Sequence, residues 1–180
     1  MKKLSFNIAL SGILSAICLL MMFLVAVFPF FLYVFPMICG LIVYMIYYEC
    51  GLKSAVASYF CISILSLLIS PDKESALLFM TFFGYYAFAK VYIERMMSKL
   101  LKFIIKLAVF NLSIVGTYFL LINVFALVPI EDFTGDFGEA MIWGFLLIAN
   151  FVFLLYDLAL RNVMILYKVK LRKLLFKRAR

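Results

Sequence analysis

The stretch FNIALSGILSAICLLMMFLVAVF, from Phe6 to Phe28, decides the fold class of this chain. It contains no charged residue, and it is long enough for an α-helix that crosses the hydrocarbon core of a membrane, which takes roughly 20 residues. Small residues interrupt the bulky ones in its first half, where ALSGILSA runs from Ala9 to Ala16. The stretch therefore predicts a transmembrane helix with one narrow face, which another helix can approach closely.

The composition of the whole chain supports a membrane protein. Hydrophobic residues make up 68% and charged residues 14% of its 180 residues, whereas soluble domains average roughly 45–50% and 25%. The sequence has no histidine, which excludes Ser-His-Asp chemistry and most metal sites. It also lacks a Walker sequence and a dinucleotide-binding fingerprint. We therefore expect no enzyme activity, no cofactor and no bound metal.

Six apolar segments follow one another along the chain, separated by prolines, polar loops or charged residues. Each is long enough, or nearly so, to cross the hydrocarbon. The predicted segments are Phe6–Phe28, Phe30–Tyr48, Ser54–Ile69, Ala76–Tyr92, Phe103–Val128 and Ala140–Leu160. The expected fold is an all-α membrane protein, a six-transmembrane-helix bundle that occupies residues 1–160.

Basic residues set the orientation of this bundle, because they accumulate on the cytoplasmic side of membrane proteins. With the N-terminus in the cytoplasm, the alternation of the six segments places every Lys and Arg except Lys73 on the inner side. The outer loops then hold acidic residues, namely Asp72, Glu74, Glu131, Asp132, Asp136 and Glu139. The asymmetry predicts a multi-pass protein of the cell membrane with both termini cytoplasmic.

The C-terminal segment 161–180 combines basic residues with an apolar stripe at helical spacing. The stripe consists of Val163, Leu166, Tyr167, Leu171, Leu174 and Leu175. We predict a basic amphipathic C-terminal helix, a cytoplasmic tail that follows the bundle and binds the anionic lipid of the inner leaflet. Nucleic acid is not an expected partner.

Polar residues within the apolar segments are the candidates for a ligand site, since such groups are costly in hydrocarbon and tend to mark function. Several lie toward the outer face together with aromatic residues, a combination typical of small-molecule pockets. The predicted substrate-binding residues are Ser66, Ser70, Tyr118, Asn123, Trp143 and Asn150. A structural role is the alternative for each: serines bond to their own helix, asparagines link helices, and Trp143 fits an interfacial aromatic belt.

The small residues of the first segment offer a docking face. Ala9, Gly12 and Ala16 fall on one side of a helix, and Ser11 and Ser15 flank them. Gly12/Ala16 and Ser11/Ser15 are pairs of small residues four positions apart, which let two helices approach closely in lipid. These five are the predicted partner-docking residues; the alternative is that another helix of the same chain fills the face.

The stretch NIALSGILSAI, preceded by Lys2 and Lys3, resembles the first helix of the substrate-binding S components of energy-coupling factor (ECF) transporters. The predicted size and six-helix layout resemble theirs as well. In those proteins an Ala-x-x-x-Ala-type motif docks on a coupling subunit; here Gly12/Ala16 and Ser11/Ser15 stand in its place. The stretch FFGYYAFAKVYIERM, Phe82 to Met96, is similar to a segment of small Firmicutes membrane proteins with an S-component-like fold.

The resemblance implies a function in vitamin or micronutrient uptake. The chain would capture a small molecule from outside, dock on a transmembrane coupling subunit through its first helix, and depend on partner ATPases for energy. The rival hypothesis is a non-transport membrane scaffold of the cell-envelope or sporulation machinery, similar to rod-shape-determining membrane subunits. The scarcity of polar groups in the predicted pocket favours the rival.

Overall fold

The computed structural model describes residues 2–96, 98–124, 138–167 and 169, with side chains for all of these except 2–4, 138–143 and 145. Nearly all of the described residues are helical, and none of them lies in a β-strand. The chain divides into two units, Met1–Phe137 and Gly138–Arg180. In chain order the elements are α1 (Lys2–Leu24), a 3-10 turn (Pro29–Phe31), α2 (Val34–Cys50), α3 (Leu52–Ile69), α4 (Lys73–Leu78), a π-helical turn (Phe79–Phe83), α5 (Gly84–Ile93), α6 (Lys99–Asn123) and α7 (Gly138–Leu166).

Five helical stretches are long and apolar enough to cross a membrane. They are Ser5–Leu24, Leu52–Ile69, Lys73–Ile93, Lys99–Asn123 and Leu146–Leu166. Each corresponds to one of the segments predicted from the sequence. The all-α class is confirmed for the described residues, and these helices indicate a membrane protein.

The second predicted segment is shorter in the structure than in the sequence analysis. Helix α2 begins at Val34 rather than at Phe30, because Pro29–Phe31 form a 3-10 turn. Pro36 lies in the first turn of α2, where a backbone N–H has no intrahelical partner to lose. The 17 residues of α2 amount to about 25 Å of helix, somewhat less than the hydrocarbon thickness of about 30 Å.

Helices α1, α2 and α3 pack on one another. Helices α1 and α2 are antiparallel, because Cys18 lies beside Cys39 and Asn7 lies beside Cys50. The thiols of Cys18 and Cys39, both fully buried, each approach the backbone carbonyl of the other residue, at Sγ–O distances of 3.9 and 3.5 Å. Such contacts require close approach of the α1 and α2 backbones, which side chains as small as cysteine permit. At one end, the Ser70 hydroxyl donates to the Met22 carbonyl at 3.1 Å, which joins the C-terminal ends of α3 and α1.

A π-helical turn separates α4 from α5, and Tyr59 of α3 compensates for it. Gly84 donates its N–H to the Phe79 carbonyl, so the Met80 carbonyl loses the donor that it would have in an α-helix. The Tyr59 hydroxyl donates to that carbonyl instead, at 2.7 Å. Glycine makes room for the ring, because a Cβ at Gly84 would lie 2.5 Å from Tyr59 Cδ2.

Two pairs of hydroxyl groups join α6 to the π-helical turn and α5. The oxygens of Thr81 and Thr117 are 2.6 Å apart, and those of Tyr85 and Ser113 are 2.7 Å apart. In an apolar surrounding, such interhelical hydrogen bonds contribute roughly 0.6–2 kcal/mol each. They fix the position of α6 along α5.

The second unit consists of α7 and the residues that follow it. Its buried side chains recur every three or four residues, as expected for one face of a helix, and are Phe153, Tyr156, Leu160, Met164 and Tyr167. Helix α7 continues to Leu166, past residue 160, where the sequence analysis ends the bundle. The first residues of the predicted tail are thus part of α7, and 170–180 lie outside the described residues.

We expect Gly84→Ala to lower the free energy of unfolding by about 1–3 kcal/mol, because the added methyl group overlaps the Tyr59 ring. Tyr59→Phe should cost about 1 kcal/mol, since the Met80 carbonyl loses its donor. Both are measured by the unfolding of the purified protein in detergent, followed by circular dichroism. Gly116→Ala is the control, because a Cβ there meets nothing within 4 Å; an equal loss in the control would contradict the assignment.

Candidate functional site

A polar cluster lies at the end of the first unit where α1 and α3 end and α2 and α4 begin. It consists of Tyr33, Asp72, Glu74 and Tyr118 and is named the Tyr33–Glu74 cluster. Its members come from the residue before α2, the loop before α4, the first turn of α4 and the C-terminal half of α6. The fold therefore gathers four side chains that are distant in sequence.

The loop before α4 uses its polar groups to end one helix and to begin the next. The Lys73 ammonium donates to the Leu67 and Ser70 carbonyls, at 2.8 and 2.9 Å, and so caps the C-terminus of α3, where carbonyls lack partners and a cation is favoured. The Asp72 carboxylate accepts from the Ser75 N–H at 2.9 Å, as the N-cap of α4. The ammonium of Lys73, the first residue of α4, thus caps the C-terminus of α3.

A tyrosine holds the Glu74 side chain. The Tyr33 hydroxyl donates to Glu74 Oε1 at 2.9 Å. Partial burial, and then the charge of the Glu74 carboxylate, raise the pKa of Tyr33 well above the ordinary range of a tyrosine. The phenol therefore stays protonated at physiological pH and remains a hydrogen-bond donor to the carboxylate.

Tyr118 and Asp72 complete the cluster. Both lie within electrostatic reach of the Glu74 carboxylate, and α4 packs against α6. Asp72, Glu74 and Tyr118 are half-buried, while Tyr33 is 51% exposed. The cluster is thus shielded in part from solvent and remains accessible to a small molecule.

No basic side chain among the described residues forms an ion pair with Glu74. Lys90 and Lys106 instead form ion pairs with Glu94, at N–O distances of 3.7 and 3.4 Å. Glu94 directly follows the C-terminus of α5, and Lys106 lies in the N-terminal half of α6. The sequence contains no Lys or Arg from 107 to 160. The end of the unit that carries Glu74 is therefore short of positive charge.

The predicted serines and tyrosine lie near this cluster, but the serine hydroxyls have partners within the chain. Ser70 is buried and donates to the Met22 or the Asp72 carbonyl, both at 3.1 Å. Ser66 is also buried and donates to the carbonyl of Ser63, in its own helix, at 3.1 Å. Tyr118 alone of these predicted residues is a member of the cluster.

The predicted asparagines donate to their own helices. The Asn123 amide donates to the Phe119 carbonyl at 2.9 Å, and the Asn150 amide donates to the Leu146 carbonyl at 2.8 Å. Asn150 belongs to the second unit, and the side chain of Trp143 lies outside the described residues. These bonds run within single helices, and so differ from the links between helices that the sequence predicts as the structural alternative for asparagines.

The predicted docking residues lie on or beside the exposed side of α1. Ala9, Gly12 and Ala16 are exposed, Ser11 is half-buried and Ser15 is buried. A Cβ added at Gly12 would meet nothing within 4 Å. Exposed bulky side chains border the face, namely Ile8, Ile13, Ile17 and Leu20. Within the first unit, no described residue covers Ala9, Gly12 or Ala16.

Comparison with protein-family models, with curated proteins and with solved structures found no match to this chain. A functional assignment therefore depends on the residues and their geometry. Among the described residues, no group of three or more His, Cys, Asp or Glu side chains is arranged to hold a metal ion. The Tyr33–Glu74 cluster and the exposed face of α1 are the two features that bear on function.

Tyr33 and Glu74 are not among the site residues predicted from the sequence. From the sequence, Glu74 is predicted only as an acid of an outer loop. In the structure it lies in the first turn of α4, where the helix dipole favours an acidic side chain. The available signal for Tyr33 is the aromatic stretch FPFFLY, Phe28 to Tyr33, which spans the junction of the first two apolar segments. A junction so rich in aromatic residues is unusual for a solvated loop.

Lys73→Met should lower the free energy of unfolding by about 1–2 kcal/mol, because the Leu67 and Ser70 carbonyls lose a charged donor. Lys53→Met is the matched control, since Lys53 is exposed near the beginning of α3, the helix whose C-terminus Lys73 caps. Unfolding in detergent provides the measurement. Equal destabilisation by the two variants would show that the ammonium of Lys73 does not cap α3.

Proposed function

We propose that this chain is the substrate-binding subunit of an ECF-type importer of a vitamin or another micronutrient. It captures a small molecule at the outer face of the cell membrane and docks on a transmembrane coupling subunit, whose partner ATPases supply the energy. The observation that carries the proposal is the exposed small-residue face of α1.

This face has the properties that docking between membrane helices requires. Apolar side chains gain little by leaving lipid, so helices associate where small residues let two backbones approach. Ala9, Gly12 and Ala16 are exposed, and the space over Gly12 is open. In the S components that the chain resembles, the docking motif also lies in the first helix.

The proposed topology has six transmembrane segments, with α2 added to the five longer ones, and both termini in the cytoplasm. A segment as short as α2 is accommodated by local thinning of the bilayer. The charges support this orientation, because Lys73 is the one basic residue between Lys53 and Lys90, and no Lys or Arg occurs from 107 to 160. The Tyr33–Glu74 cluster then faces outward, and the basic tail contacts anionic lipid of the inner leaflet.

The Tyr33–Glu74 cluster is the proposed entry point of the ligand. Its carboxylate and phenol groups are half-buried or exposed, and Ser66 and Ser70, in the last turn of α3 and directly after it, are buried. Movement of the bundle against the coupling subunit, driven by ATP hydrolysis in the partners, would open the site toward the cytoplasm. The chain itself needs no nucleotide site for this role.

The second candidate is a membrane scaffold of the cell-envelope or sporulation machinery. The bonds of Ser66, Asn123 and Asn150 to backbone carbonyls of their own helices favour it, because groups used in this way contribute less to ligand recognition. A scaffold would not require the coupling subunit, so the two candidates differ in partner.

Gly12→Leu combined with Ala16→Leu should reduce co-purification with a coupling subunit and its two ATPases by about tenfold or more, because leucine side chains prevent close backbone approach. The chain is tagged and co-expressed with the coupling subunit and the two ATPases of an ECF transporter, and the recovered subunits are quantified by mass spectrometry. The control is Ala108→Leu combined with Gly116→Leu on α6, where Ala108 is exposed and a Cβ at Gly116 meets nothing within 4 Å.

Three outcomes would contradict the proposal. The first is no co-purification by the unaltered chain, and the second is an equal loss in the α6 control. The third is unfolding of the isolated chain by the α1 substitutions, which would assign the small residues to internal packing. Circular dichroism and gel filtration of each purified variant identify the third outcome.

A further inference from the structure

We propose that the connector between α1 and α2 is a lipid-binding surface, whose exposed aromatic side chains insert into the interfacial layer of the outer leaflet. The connector consists of residues 25–33, VAVFPFFLY, and is named the α1–α2 connector. Its partner is phospholipid, at the boundary between headgroups and acyl chains. The inference rests on the proposed topology, in which α1 and α2 both cross the membrane, and it does not depend on a coupling subunit.

The first argument is the composition of the α1–α2 connector. Turns in water are rich in Gly, Asn, Asp and Ser, whereas the connector contains none of these, and residues 4–48 include no charged residue. Phe30 is 95% exposed, and Val27, Phe28 and Phe31 are exposed as well. A cluster of bulky apolar side chains is unfavourable in water and marks a surface that binds an apolar partner.

The second argument is the backbone of the connector. An irregular backbone is tolerated at the edge of the hydrocarbon only where its polar groups are paired inside the protein. Pro29 has no N–H to pair. Five of the seven residues 26–32 donate their N–H to carbonyls of α1 or of the connector, at N–O distances of 3.0 to 3.2 Å, namely Ala26, Val27, Phe28, Phe31 and Leu32. The connector can therefore leave water with little loss of backbone hydrogen bonds.

The third argument is the depth of the connector, measured from the inner side. The Cys50 thiol lies 3.6 Å from the Asn7 carbonyl, so Asn7 is level with the end of α2, where the charge-free stretch stops at Glu49. From Asn7 to Leu24 the helix rises about 26 Å, about 4 Å less than the hydrocarbon thickness of about 30 Å. The outer edge of the hydrocarbon then lies at the level of the connector.

A second measure of depth comes from the outer side. The bond from the Ser70 hydroxyl to the Met22 carbonyl, at 3.1 Å, places the end of α3 level with Met22. The polar residues 72–74 follow directly, and α1 continues beyond this level to Leu24. If the polar loop marks the hydrocarbon edge, the connector extends into the headgroup layer, which is about 5–8 Å thick on each side. Both measures place the connector in the interfacial layer.

The C-terminal end of the connector fits the same layer. The Tyr33 hydroxyl donates to Glu74 at 2.9 Å, so this residue combines an apolar ring with a polar contact, as is typical of side chains at membrane interfaces. The Phe31 ring lies 5.5 Å from that of Phe35 in α2, measured between centroids. The connector is thus attached to α2 and to the first turn of α4, while Phe30 stays free for lipid.

The test measures the depth of single tryptophans in the full chain, reconstituted into vesicles of phosphatidylcholine and phosphatidylglycerol. Trp143, the one tryptophan of the sequence, is replaced by Phe, and Phe30→Trp introduces the fluorophore of the connector. We expect phosphatidylcholine brominated near the headgroup to quench it about threefold more strongly than phosphatidylcholine brominated near the chain ends.

Two matched variants in the same background calibrate the depth. Lys99→Trp is the aqueous reference, because Lys99 is the exposed first residue of α6, a helix of about 38 Å that exceeds the hydrocarbon. Acrylamide in the buffer should quench Lys99→Trp about threefold more strongly than Phe30→Trp. Leu20→Trp is the lipid reference, because Leu20 is 65% exposed and lies within α1, and it should be quenched more by the chain-end bromines than Phe30→Trp is.

Three results would overturn the inference. Acrylamide quenching of Phe30→Trp equal to that of Lys99→Trp would place the connector in water. Absence of quenching by acrylamide and by both brominated lipids would show that another segment or a partner protein covers it. Strongest quenching by the chain-end bromines would place it deep in the hydrocarbon.

A second variant covers a failure of the first to fold, which circular dichroism detects. Phe31→Trp then supplies the reading, with the same expected results and the same contradicting ones. Docking is measured through α1 and lipid contact through the connector, so the two failures are distinguishable. Capture of the coupling subunit with the connector in water overturns the inference alone, whereas quenching by lipid without capture overturns the proposed function alone.

Discussion

The need to satisfy every backbone polar group within an apolar surrounding governs this structure. Hydrocarbon offers no hydrogen bonds, so each carbonyl or N–H that a helix leaves unpaired must find a partner inside the protein. Among the described residues, the chain meets this need at two points with side chains from other elements. Tyr59 donates to the Met80 carbonyl beside the π-helical turn, and Lys73 donates to the last carbonyls of α3.

The second of these solutions connects folding with the candidate site. Because the Lys73 ammonium is held at the end of α3, it is not paired with Glu74, the next residue along the chain. The Tyr33 hydroxyl orients Glu74 instead, without neutralising it. A helix cap thereby determines the charge of the Tyr33–Glu74 cluster, and the same short loop supports both the fold and the proposed recognition of a ligand.

The sequence predicts the helical class and the positions of the long apolar helices, because runs of apolar residues bounded by prolines and charges are a local signal. It does not predict the π-helical turn, whose compensation depends on Tyr59 in a different helix. It also overestimates the length of α2, since the 3-10 turn at Pro29–Phe31 reads as apolar sequence. Apolarity alone does not distinguish a helix from a tight turn in these residues.

The candidate site is predictable only in part. Tyr118 and Ser70 are recognisable as polar groups near one end of their helices, and the structure places them near the acidic residues of the same end. Tyr33 is not, because it meets Glu74 across 41 residues of sequence, a pairing that no periodicity reveals. The polar groups of Ser66, Asn123 and Asn150 are equally visible in the sequence, but their bonds to their own helices emerge only from the geometry.

The π-helical turn has a consequence for the history of this chain. Such a turn is equivalent to one residue inserted into an α-helix, and an insertion of this kind rotates everything after it by about 100°. Here it is accommodated by a hydroxyl in α3 and by a missing side chain at Gly84. Tyr59, Gly84 and the inserted residue therefore form one structural unit. We expect related chains that lack the insertion to be free to change both of the others, and related chains that retain it to keep both.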